Sequence, residues 1–412
     1  MTITGRRSTP AVALVVTMLS LVAGCASSNG SRAKQMDDPP RDRMGSLPFP
    51  GAFTLYRVAD IEKLGLHRYE RPPRLGREDE GRHGLLYTTR AGFLDVGHMR
   101  ITIDHVRFCA ERVRAAMREQ AGQLELPTIE GSTFFVTLRY PLGWPEKGSE
   151  TPADEAIADE LAIRTGQRIA YLMMTWHEIV TWYGWCTVPG LSEQRSSFTW
   201  DDTMSHVIGL RVAGMALRDT SGATFDESVT CHLHEELIDL GACTRPQTRA
   251  AVASVDGQWY TRGAPLKRQL DIGLSDGIVR PWLVRGLPFV PEAKPETYHL
   301  PSLSDVEGRD FSGFFTIRID PNMPEAARLR AALPGDPAVI SVDRDFPLLM
   351  AETRREMRRQ TSPDVDLPWP TIASPTPQPA IASAAPTSST PSRHHALLSW
   401  LGVKQPVVPI AR

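Results

Sequence analysis

The stretch from Pro152 to Tyr183 constrains the fold more than any other. Pro152 suits the first turn of a helix, where its missing N–H costs nothing. Asp154, Glu155, Asp159 and Glu160 then lie toward the positive N-terminal end. Further on the polar face disappears, in Tyr171-Leu-Met-Met-Thr-Trp-His177-Glu178-Ile-Val-Thr181-Trp-Tyr-Gly184-Trp. A helix that is apolar nearly all round is buried on most sides, so other elements must enclose it.

Those elements are legible in part. Asp104–Glu119 is expected to be a helix capped by Asp104, with Val106, Cys109, Val113 and Met117 on one face and Gly122 as a stop. Thr199–Leu217 is expected to be another, opened by a Thr199/Asp202 pair resembling a capping box. A further helix runs from about Asp226 to Leu240 and stops at Gly241, with Val229, Leu233, Leu237 and Leu240 facing inward. Strands are expected at Leu85–Thr89, Thr133–Tyr140, Gln258–Tyr260, Gln269–Ile272, Ile278–Val284 and the alternating run Gly313–Asp320. Pro324–Leu333 and Pro347–Arg359 read as amphipathic helices. The pattern is that of an α+β domain, a central helical core with short strands at its edges.

The ends differ in kind. Arg6 and Arg7 precede a short apolar run, Ala11–Leu21, and Val22-Ala23-Gly24-Cys25 closes it. This is the layout of a signal peptide over residues 1–24, and the small residues before Cys25 resemble the lipobox of bacterial lipoproteins. That resemblance implies an acylated Cys25 as lipid anchor. Ala26 in the next position resembles the sorting pattern for the outer membrane, facing the periplasm. Residues 25–48 read as a flexible tether, 49–360 as one globular domain, and 361–412 as a Pro/Ala/Ser/Thr-rich tail holding ten of the 34 prolines.

Net charge is −2, and loss of the two signal arginines leaves 44 basic against 48 acidic residues. No partnership with nucleic acid is indicated by such a balance. Cys109, Cys186, Cys231 and Cys243 contain no C-x-x-C pair. A Cys231–Cys243 bridge and buried free thiols are both open in an oxidising compartment.

His177-Glu178 resembles the start of the zinc-hydrolase helix H-E-x-x-H, but Thr181 stands where the second histidine belongs. Other ligands would have to come from elsewhere. Asp95-Val-Gly-His98, read as a turn before the first helix, is one source, and Asp202/His206 and His232/Glu236 are i, i+4 pairs. The resulting candidate site has Glu178 as general base and Asp95, His98 and His177 as ligands of a divalent metal. Each pair also has a plain structural reading as an ion pair or a satisfied histidine. Gly273-Leu-Ser275-Asp-Gly277 matches G-x-S-x-G, but Pro281 follows where the serine-hydrolase elbow needs a helix, so it reads as a turn.

Gly92–Arg100, Thr175–Gly184, Ser196–Gly209 and Pro281–Gly286, in that order, resemble segments of the domain of unknown function 4056 family of bacterial envelope proteins. The likeness spans roughly residues 50–320 and implies no established activity. It also implies that Thr181 is the family's own residue and that Asn stands at the position of His206. Two functions follow as expectations. One is a lipid-anchored binding or scaffold protein with a protein or glycan partner. The alternative is a metal-assisted hydrolase acting on envelope material.

Overall fold

The computed structural model describes residues 39–40, 58–69, 83–187, 190, 192–261, 264–290 and 296–367. The expected signal peptide, Cys25 and nearly all of the tether and tail lie outside the described residues. Among the described residues the architecture is α+β, with seven α-helices and short antiparallel strands. No described helix is long and apolar enough to cross a membrane.

The centre is a packed trio: α1 (Val96–Arg118), α2 (Pro152–Trp182) and α3 (Asp202–Leu217). Thr151 and Asp154 form a reciprocal capping box at the start of α2, satisfying backbone donors that would otherwise have no partner. From Ile169 through Trp176 every residue of α2 is buried, as its lost polar face requires. Two glycines set the helix spacing. A Cβ on Gly166 of α2 would stand 2.6 Å from the Ala110 nitrogen of α1, and one on Gly209 of α3 would stand 2.7 Å from the Met99 oxygen. Only a bare backbone fits at either contact.

Helix α4 (Phe225–Asp239) packs on α3, and its four expected inward residues are buried. Helix α5 (Arg245–Ser254) follows, opened by a Thr244/Gln247 capping box that the sequence reading passed over. Helices α6 (Ala326–Ala331) and α7 (Val342–Gln360) complete the set. α7 begins five residues before the expected Pro347, which lies inside the helix past its first turn, where the missing N–H leaves the Asp343 carbonyl without its helical donor.

An antiparallel hairpin of β1 (Leu85–Thr88) and β2 (Gly92–Asp95) feeds directly into α1. A four-stranded antiparallel sheet has the order β10 (Ile340–Ser341), β9 (Phe315–Asp320), β4 (Thr133–Leu138), β3 (Gln123–Pro127). Alternation places Phe134 opposite Ile319 and Val136 opposite Ile317, all buried. Trp176 of α2 stacks on Phe346 of α7 at 6.0 Å and meets Phe134 edge-on, joining the trio to this sheet. Two further strand pairs are two residues long, β5 (Tyr260–Thr261) with β6 (Ala264–Pro265) and β7 (Ile278–Val279) with β8 (Tyr298–His299).

Several expectations are corrected. The first helix begins at Val96 under an Asp95 cap, because its first turns are enclosed by other elements and show no polar face from which a start could be read. Gln269–Ile272 is not a strand; Gln269 N–H donates to the Phe198 carbonyl, outside any sheet. The expected strand at Ile278–Val284 ends at Val279. All four described cysteines are free thiols. Residues 361–367 belong to the domain rather than to the tail. Val365 is fully buried, its carbonyl accepts from Arg268 N–H, and Asp366 pairs with Arg354 and Arg358.

Candidate functional site

The site is built where β2 meets α1 and where a loop enters α3, with α2 behind. Asp95 ends β2 and caps α1: its Oδ1 accepts from Gly97 N–H at 2.5 Å and His98 N–H at 3.3 Å. Capping places His98 in the first turn of the helix, so the pair read as a loop is a strand-to-helix junction. Asp95 N–H donates to Ser205 Oγ, and Ser205 Oγ donates to the Asp201 carbonyl, which ties this junction to the start of α3.

Asp201 is the new member. One ligand atom from each of Asp95, His98 and Asp201 lies within 4.8 Å of the others, and both aspartates are 2% exposed. Asp201 Oδ1 is buried with no hydrogen-bond partner. His98 Nδ1 stands 3.0 Å from Asp202 Oδ1, an ion-pair distance between two buried atoms. The other oxygen of Asp202 is committed, accepting from Thr199 N–H at 2.6 Å and Thr199 Oγ1 at 2.9 Å. That is half of the expected Thr199/Asp202 capping box.

Glu178 approaches from α2. Its Oε2 accepts from Phe198 N–H at 2.7 Å, and its carbonyl accepts from Ser197 Oγ at 2.7 Å. Phe198 has φ of +55°, a left-handed conformation that a bulky side chain adopts only under local constraint, and here it aims the N–H at Glu178.

The electrostatics are one-sided. Neither lysine nor arginine pairs with Asp201, Asp202 or Glu178 among the described residues. Burial pushes the Glu178 carboxyl up to about 7, with Asp202 adding to the effect and His177 and His98 opposing it. Burial, then Asp202 and Asp95, push Asp201 well above the usual carboxylate range. Burial pulls the His98 imidazole down, but Asp202, Asp95 and Asp201 outweigh it and hold it well above its ordinary value. His206 goes the other way, lowered by burial and by His98, so it is the neutral imidazole of the pair, its ring 5.7 Å from that of His98. Buried carboxylates short of cations either hold protons or bind a metal.

His177, adjacent to Glu178 on α2, faces a different wall. Its Nδ1 stands 2.7 Å from Oε1 of the buried Glu130, in the turn between β3 and β4, and it is not among the three converging residues. The pairing holds Glu130 below the usual carboxylate range despite burial. Of the other pairs, Asp202 turns to His98 and Thr199 rather than to His206. Glu236 pairs with Arg211 at 3.2 Å, and His232 with Glu235. Ser275 is exposed in a turn that enters β7, with no helix after it.

The family described as protein of unknown function (DUF4056) matches residues 39–269. The chain belongs to this family. The matched span holds Asp95, His98, Glu130, His177, Glu178, Asp201, Asp202 and His206, and it ends before Pro281–Gly286. Comparison with curated proteins and with solved structures gives no match.

Proposed function

We propose that this DUF4056 protein is a metal-assisted hydrolase, with Asp95, His98 and Asp201 as ligands of a divalent ion and Glu178 as general base. The observation that carries the reading is the convergence of those three residues, one of which, Asp201, has a buried Oδ1 with no hydrogen-bond partner. A divalent ion held there would supply Lewis acidity and an acidified water. Glu178 suits the remaining task, because a general base works best with a pKa near the working pH, and burial puts it at about 7. His98 keeps 26% of its side chain exposed, which leaves the cluster open to solvent on that side.

The test is metal analysis of the purified full chain, followed by turnover on peptide, ester and glycan panels. Glu178→Gln is expected to keep the metal and lose turnover, and Asp201→Asn to lose both. Absence of any bound or bindable divalent ion overturns the reading.

A second reading, a binding or scaffold protein, is favoured by the bonds from Ser197 and Phe198 to Glu178, which are those of a structural pin. On that reading Glu178→Gln lowers the melting temperature and leaves capture of a protein or glycan partner intact.

We also propose that the chain is anchored through a lipid on Cys25 to the outer membrane, facing the periplasm. The support is the charged, apolar and small-residue order of the first 25 residues. Palmitate labelling of cells that is lost in Cys25→Ser tests it.

A further inference from the structure

The two carboxylate oxygens of Asp202 have separate engagements. Oδ2 accepts from Thr199 N–H at 2.6 Å and from Thr199 Oγ1 at 2.9 Å, and capping at the start of α3 needs no more than that oxygen. Oδ1 is turned instead to His98 Nδ1 at 3.0 Å, reaching from α3 to the first turn of α1. Two bare acceptors would repel at this distance, so a proton lies between them and Nδ1 is the ring nitrogen that carries it.

We infer that Asp202 is a positioning residue of the proposed ion site: it holds the Nδ1–H of His98, so that His98 binds the ion through Nε2. The inference rests on the metal reading above and deepens it, by naming the ligand atom and the group that fixes it. Metal-bound histidines commonly give their second ring N–H to a carboxylate, which sets the tautomer, fixes the ring plane and makes the bound nitrogen more basic. The local build meets these needs. The two bonds from Thr199 keep the carboxylate from turning away. Nδ1 is buried against Asp202, while part of the imidazole side chain stays open to solvent. The consecutive aspartates thus divide the work. Asp201 offers an oxygen that no hydrogen bond occupies, whereas Asp202 is engaged on both sides and is not among the three converging residues.

The test has two readouts on full-length protein stripped with a chelator. In the first, the protein is loaded with Co2+ and its hyperfine-shifted proton resonances are compared in H2O and D2O. Wild type is expected to show a shifted ring N–H resonance that D2O removes, because Nδ1–H is shielded by Asp202 and exchanges slowly. His98→Gln is expected to lack it. In the second, the protein is titrated with Mn2+, and free Mn2+ is read by electron paramagnetic resonance. Asp202→Asn, which can still accept from Thr199, is expected to weaken binding at least about tenfold. Built into His98→Gln, the same substitution is expected to cost less than about threefold, because no imidazole is left to position. The unfolding temperature of each metal-free variant checks that it is folded.

A smaller loss in the single variant overturns the inference, and so does a wild-type Co2+ spectrum without an exchangeable ring N–H. A larger loss in the His98→Gln background also overturns it, since Asp202 would then act on the ion without the imidazole. If His98→Gln binds Mn2+ too weakly to titrate, the spectrum and the single variant decide. If wild type itself binds no divalent ion, the metal reading fails as a whole, which is a different result from a bound ion that is indifferent to Asp202.

Discussion

Phe93 and Asp95 stand two residues apart on β2, and Trp200 directly precedes Asp201, yet each pair is divided between two interiors, one apolar and one polar. Phe93 and Trp200 join Tyr87, Trp259, Tyr260 and Trp282 in an apolar cluster of aromatic rings at 4.8–6.0 Å. Asp95 and Asp201 join the carboxylate cluster. All four residues are nearly inaccessible to water. For the aromatic side chains burial is the driving force, about 25 cal/mol per Å2 of apolar surface. For the carboxylates it is a cost of several kcal/mol per charge unless a counter-charge is present. At Trp200 and Asp201 one side chain therefore stabilises the domain while its neighbour, whose Oδ1 has no hydrogen-bond partner, is held in place at a cost, as expected if Asp201 has a task other than folding.

The contrast can be broken at either end. Trp259→Ala should cost about 3–5 kcal/mol of unfolding free energy by denaturant titration, equally with and without Mn2+, because it removes only packing. In metal-free protein, Glu178 should make stability fall as pH rises from about 4.5 toward about 7. Its folded value lies above the unfolded one, so the unfolded chain loses the proton first and gains by it. The full span is about 3 kcal/mol at most, and Glu178→Gln should flatten the curve. Asp201→Asn should forfeit the metal-linked stabilisation, about 2.7 kcal/mol at an ion concentration a hundred times Kd, while leaving metal-free protein as stable as wild type or more so. Stability lost by Asp201→Asn without metal would mean that the carboxylate is a structural pin. Tyr87→Phe is the smallest change. Its hydroxyl accepts from Val284 N–H at 2.9 Å and donates to the Val284 carbonyl at 3.2 Å, so its loss should cost about 1 kcal/mol and no metal affinity.

The same two interiors show what the chain discloses by itself. Helices with one wet face, such as α4, are plain from their spacing, and the lost polar face of the second half of α2 foretells its enclosure. The N-terminal half of α1 is not plain. Met99, Ile101, Thr102 and Ile103 are buried, and so is Arg100, whose guanidinium reaches the Leu64 and Gly65 carbonyls, so no polar face marks the helix. Asp95, His98 and Glu178 were visible as reactive types near helix ends. Asp201 was not, since one of two consecutive aspartates before a helix is ordinarily a cap, and only the third dimension brings it to His98. The local signal available was that Thr199 already commits Asp202 to the capping role, which leaves Asp201 without one.

Gly209 carries a consequence for the selectivity of the proposed ion site. It sets the α3 backbone against the carbonyl of Met99, one residue past His98, and Asp202 opens that same α3. The gap between the imidazole on one helix and Asp201 at the start of the other is thus a backbone-to-backbone dimension, set like the jaws of a gauge. Side-chain changes within the cluster can alter how many atoms grip an ion, but not how far apart the jaws stand. A variant adapted to a larger cation is to be sought at position 209 and along its contact with Thr102, not among the aspartates.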